Sequence, residues 1–106
     1  MNLGELFKQA RDLQAKTEEF QATLAAIEIE GVSGAGLVRV TLNGKGELKR
    51  LSLDQTLLKP EERETIQDLL IAAHRDAKTK LERRVAEEMQ TLAGTLGLPP
   101  GLGLPG

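Results

Sequence analysis

Small or apolar side chains recur at Leu3, Leu6, Ala10, Leu13, Thr17, Phe20 and Leu24, separated alternately by three and four positions. That is the rhythm of a heptad seam rather than of a free helix stripe. It predicts a helix over 3–26. Asn2 followed by Glu5 has the form of a capping box at its start. The period then drops to two. Ile27 and Ile29 alternate with Glu28 and Glu30, and Val38, Val40 and Leu42 alternate with Arg39, Thr41 and Asn43. Alternation marks half-buried strands. Residues 31–36 (GVSGAG) read as the turn between the first two strands. Asn43-Gly44-Lys45-Gly46 predicts a hairpin in which Asn and Gly take the positive φ of a primed turn. Leu48, Leu51 and Leu53 cannot share one face under strict alternation, so the third strand, 47–53, is expected to bulge near Lys49–Arg50.

A linker over 54–59 leads to Pro60, which fits the first turn of a second helix, and Glu61, Glu62 and Glu64 suit its positive end. Ile66, Leu70, Ala73, Ala77, Leu81, Val85, Met89 and Leu92 extend an apolar stripe to about residue 93, with Gly94 as the stop. The layout is one domain over 1–93 and a Gly/Pro/Leu-rich tail over 94–106, part of which is expected to pack on a surface. At 1.5 Å per residue the helices would be about 36 and 50 Å long. Three strands make a sheet only about 15 Å wide and 20–23 Å long. Both helices overrun it with their apolar stripes intact, and the second half of helix two is expected to pair with the seam of helix one. What still overhangs needs cover, and a two-fold dimer closing through the sheets supplies it.

Composition removes most chemistry. The chain of 106 residues has no cysteine and a single histidine, His74, so thiol chemistry, thiolate zinc sites and His-rich metal sites are excluded. Ser33 and Ser52 lie in no nucleophile elbow, and neither glycine-rich stretch has the Lys-Ser/Thr and following helix of a phosphate loop. No enzyme activity, cofactor or metal is expected. Phe7 and Phe20 are the only aromatics, too few for a base-stacking platform. No apolar run approaches a membrane span, and the acid-bearing N-terminus is unlike a secretion signal, so a cytoplasmic setting is expected.

Charge is segregated although the net value is only −2. Residues 60–68 are acidic. Residues 75–84 (RDAKTKLERR) hold Arg75, Lys78, Lys80, Arg83 and Arg84 against Asp76 and Glu82. Lys8 and Arg11 lie near the start of helix one, and antiparallel helices would bring both groups onto one arm. Such a face is either solvated and laced by i,i+4 pairs or a phosphate-contacting surface. Lys45, Lys49 and Arg50 read as guards of an exposed strand edge.

The ordered blocks Gly34-Ala35-Gly36-Leu37-Val38, Val40-Thr41-Leu42-Asn43-Gly44-Lys45-Gly46-Glu47, Leu53-Asp54, Asp68-Leu69-Leu70-Ile71-Ala72-Ala73, Asp76-Ala77, Glu87-Glu88-Met89 and Leu98-Pro99-Pro100-Gly101 run through nearly the whole chain. Together they resemble the YbaB/EbfC family of bacterial nucleoid-associated proteins. The resemblance implies an α+β fold, an α-β-β-β-α protomer with a three-stranded antiparallel sheet and two long helices, and a tweezer-like homodimer. It also implies binding of double-stranded DNA on the nucleoid, without catalysis or a small-molecule substrate. Carried onto this chain, the family's projecting helices point to Lys8, Arg11, Lys80, Arg83 and Arg84 as DNA-contacting, with Arg75 and Lys78 nearer the sheet. These bases lie outside the matching blocks. The competing reading is a dimeric interaction scaffold whose arms clasp a protein, which the apolar tail and acid-rich surface favour.

Overall fold

The computed structural model describes residues 2–97. Helix α1 (Leu3–Ala26) leads into strands β1 (Glu28–Ser33), β2 (Val38–Asn43) and β3 (Leu48–Leu53), and helix α2 (Arg63–Thr95) follows. The sheet has the order β1-β2-β3 and is antiparallel throughout. This is the expected α+β, α-β-β-β-α protomer. The Asn2 side chain caps α1 by accepting the Glu5 amide at 2.8 Å. Thr41 faces Arg50 while Leu42 faces Leu48, which leaves Lys49 as the extra residue of a bulge. The bulge sets Leu48, Leu51 and Leu53 opposite Leu42, Val40 and Val38 on one face, as their spacing required.

Three local readings change. β1 runs on through Ser33, so the turn is only Gly34–Gly36. The reason is packing: α2 lies so close that a Cβ on Gly31 would stand 2.2 Å from the Ala73 carbonyl oxygen and 2.6 Å from the Ala77 Cβ. Gly31 is thus a strand residue chosen for contact, not a turn residue. The β2–β3 hairpin is not primed. Gly46 alone in it has positive φ, +84°, and its N–H donates to the Asn43 carbonyl at 3.0 Å, the pattern of a turn followed by one left-handed residue. Helix two begins one turn later than Pro60, after a 3-10 turn at Pro60–Glu62, and passes through Gly94. The reversal falls at Gly97, whose φ is +76°. Beyond that, the expected packing of the tail concerns residues 98–106, which lie outside the described range.

Val38, Val40 and Leu42 of the central strand are buried with Leu57, Ala73, Ala77 and Leu81. Burying a Val or Leu side chain in full contributes about 1.5–3 kcal/mol, so this small cluster carries much of the fold. α2 rests on β1 and β2 and barely touches β3. Leu48 and Leu51 therefore remain 55% and 49% exposed although they share the core face.

The two helices do not zip along the seam. The groove between them is lined by Lys16, Glu19, Phe20 and Thr23 on α1 and by Glu88, Thr91, Leu92 and Thr95 on α2. Of the seam residues only Phe20 faces it. α2 ends at Thr95, level with Lys16, so residues 3–15 of α1 run past it with every side chain exposed. The protomer measures 70 × 23 × 15 Å with a radius of gyration of 19.5 Å, against about 13 Å for a compact chain of this length.

Candidate nucleic-acid interface

Periodicity placed five bases within ten residues of α2, and the fold separates them. Asp76, Lys80, Arg84 and Glu88 follow one another at i,i+4 along one side of the helix. Lys80 Nζ lies 2.9 Å from Asp76 Oδ2 and donates to the Glu30 carbonyl at 3.1 Å. Asp76 in turn accepts the Val32 amide. Lys80 thus belongs to the seam between α2 and the edge of β1, close to the sheet rather than out on the arm. Arg84 Nε pairs with Glu88 Oε1 at 3.1 Å. An exposed pair of this kind contributes only about 0.2–1 kcal/mol, so a phosphate can displace Glu88, whereas Lys80, 47% exposed against 45% for Arg84, has a second tie in the Glu30 carbonyl.

Arg75, Lys78 and Arg83 are exposed, and no acid among the described residues pairs with them. Lys8 and Arg11 stand on the exposed half of α1 and are likewise unpaired among the described residues. His74 is exposed on α2. Five of the seven candidate bases are therefore presented to solvent without an internal partner, one is loosely held and one is built into the fold.

The reading of Arg50 as an edge guard is corrected. Its guanidinium turns inward across β2 and grips Glu28 on β1 through two bonds of 2.8 and 3.0 Å. Arg39 meets Glu30 at 2.8 Å on the same face. The bidentate Arg50 bond, then its charge, holds the Glu28 carboxyl below the ordinary range. These bridges sit above Thr41, buried at the middle of the sheet. Arg39–Glu30 joins the central strand to β1, whereas Arg50–Glu28 ties the two outer strands to each other over the central one, and nothing in residue spacing signals a partner two strands away.

At the root of the arm Asn43 and Gly44 hold α1. The Asn43 Oδ1 accepts the amides of Lys45 and Glu47 at 2.9 and 3.0 Å, its Nδ2 donates to Glu47 Oε1 at 2.8 Å, and the Gly44 amide donates to the Leu24 carbonyl at 2.8 Å. The turn signal was visible in the sequence, but its partner on α1 was not. Among the described residues no cluster of His, Cys, Asp or Glu could hold a metal ion, and no helix is long and apolar enough to cross a membrane.

An elongated α+β protomer with solvent-facing bases along two long helices is thus the class that fold and charge define. Comparison with known proteins agrees. The model of the YbaB/EbfC DNA-binding family matches residues 1–96, and the chain belongs to that family. It is 55% identical over 104 residues to a nucleoid-associated protein of Granulibacter bethesdensis, covering 98% of this chain and 97% of the relative. A nucleoid-associated protein of Rhodopseudomonas palustris is 52% identical over 99 residues, 93% of each chain. In structure, an uncharacterized protein of Helicobacter pylori superposes with a TM-score of 0.68 at 27% identity, covering 91% of this chain and 97% of that one.

Proposed function

We propose that the protein binds double-stranded DNA as a homodimer on the nucleoid, mainly through phosphates, and thereby organises the nucleoid or regulates gene expression. The observation that carries this reading is the set of solvent-facing bases that have no acidic partner among the described residues, Arg75, Lys78 and Arg83 on α2 with Lys8 and Arg11 on α1. Family membership and the names of the relatives support the nucleic-acid partner and the nucleoid setting. Helix-borne bases of this kind position a protein on the duplex without dictating sequence. The homodimer is supported by the apolar surface left bare: Leu3, Leu6, Phe7 and Leu13 on α1, and Leu48 and Leu51 on β3. Exposed apolar area of that extent calls for a partner, and a second copy doubles the basic arms.

Titration of a random duplex at several salt concentrations tests the reading. If three to six phosphates are neutralised, log K falls with log salt at a slope of about −3 to −5. Arg83→Gln and Lys78→Gln should each flatten that slope by about one, while Lys80→Gln should alter the slope little and lower thermal stability instead. Absence of duplex binding by the wild type overturns the function. Equal slopes for all three variants overturn the assignment of residues.

A further inference from the structure

α1 is a cantilever. Within the protomer its outer half touches no other element among the described residues, and its buried residue, Leu24, lies in the last turn, next to the buried Ile27 where the chain enters the sheet. What fixes its root is a backbone contact. Besides accepting the Gly44 amide, the Leu24 carbonyl lies so near that a Cβ on Gly44 would stand 2.3 Å from its oxygen and 2.8 Å from the Leu24 Cα. The hairpin side of this contact is stiff. Asn43 is 3% exposed, and its side chain and backbone together make five hydrogen bonds within the hairpin. A rigid block therefore meets the end of α1, where helix carbonyls have no donor within the helix.

We propose that the Asn43–Gly44 corner sets the direction of α1 and that Gly44 is a positioning residue for DNA binding, acting through Lys8 and Arg11. The proposal rests on the reading of the arms as the DNA-contacting elements. A lever argument gives the size of the effect. Moving the Leu24 carbonyl away from a new Cβ displaces the helix root by roughly 1 Å. Acting over the three residues to Ile27, about 5 Å, this turns α1 by about 10°. Lys8 lies about 24 Å along the helix from Leu24, so it is carried about 4 Å. That is far outside the tolerance of a hydrogen bond to phosphate.

Two measurements test this. The chain has no cysteine, so Gln9→Cys and Ala86→Cys take spin labels at unique places. Labelled protein diluted in unlabelled copies reports the distance between α1 and α2 within one protomer. Gly44→Ala should shift that distance by about 4 Å, and Asn43→Ser, which loosens the corner without adding an atom against Leu24, should broaden its distribution. An unchanged, equally narrow distance in both variants overturns the proposal, whatever the DNA result. In duplex binding, Gly44→Ala should weaken affinity about tenfold in the wild-type background. In a Lys8→Gln/Arg11→Gln background it should add nothing, and with Arg83→Gln the losses should be additive. Equal losses in all three backgrounds would mark a general destabilisation and sink the positioning role. If wild-type protein leaves duplex DNA unbound, the functional reading fails while the distance measurement still decides the joint.

Discussion

The Asp76 carboxylate accepts the amide proton of Val32 at 3.0 Å, joining residues 44 positions apart. Together with Lys80, which donates to the Glu30 carbonyl at 3.1 Å, it occupies two outward-facing backbone groups of an edge strand. Ser33 adds a bond to the Leu69 carbonyl at 2.6 Å. An open edge is a template for pairing with another chain, and α2 closes this one with its own side chains.

The Val32 amide, and after it Lys80, holds the Asp76 carboxyl below its ordinary value of 3.8. A carboxylate with a lowered folded-state pKa adds stability that is present above the unfolded value and is lost as pH falls through the folded one. Thermal melts of wild type and Asp76→Asn should therefore differ by a constant margin from neutral pH down to about pH 5 and converge below about pH 4. A margin that stays constant into strong acid would show that the charge of Asp76 is not what matters.

Gly31 lets α2 lie against β1. Gly31→Ala forces a methyl into a space where the Ala73 carbonyl would be 2.2 Å away. Overpacking of this kind costs about 1–3 kcal/mol. The urea midpoint should fall accordingly with an unchanged m value, and a midpoint equal to wild type would contradict the close packing of helix on strand.

The bare leucines should belong to the homodimer interface. Under two-fold symmetry each substitution acts twice, so Leu6→Asp or Leu51→Asp should weaken dimerisation at least about a hundredfold. Sedimentation velocity at micromolar concentration reads this directly. Two variants that remain dimeric would place the interface elsewhere, and a wild type that sediments as a lone protomer would remove the homodimer.

Much of this architecture is legible in residue spacing. The heptad rhythm from Leu3 to Leu24 marks α1 to the residue, the Val38-Val40-Leu42 alternation marks β2, and the misfit of Leu48, Leu51 and Leu53 marks the bulge at Lys49. Spacing misled where a residue answers to a distant neighbour. Gly31 looks like a turn glycine until Ala73 and Ala77 are set over it, and Gly94 looks like a stop although Gly97 carries the reversal. The basic run of α2 reads as one surface, yet Asp76 and the edge of β1 remove Lys80 from it.

Local periodicity by itself determined the element order, the core face of each strand and the amphipathic length of the helices, because these follow from which side chains recur at 3.6 or two residues. The family, too, was readable from ordered blocks of sequence. Only the tertiary structure decided which bases are free, which strand edge is sealed and where α1 points. Those depend on contacts between residues far apart in the chain, Val32 with Asp76, Glu28 with Arg50, Leu24 with Gly44, and such distances are set by how whole elements pack and not by the spacing within any one of them.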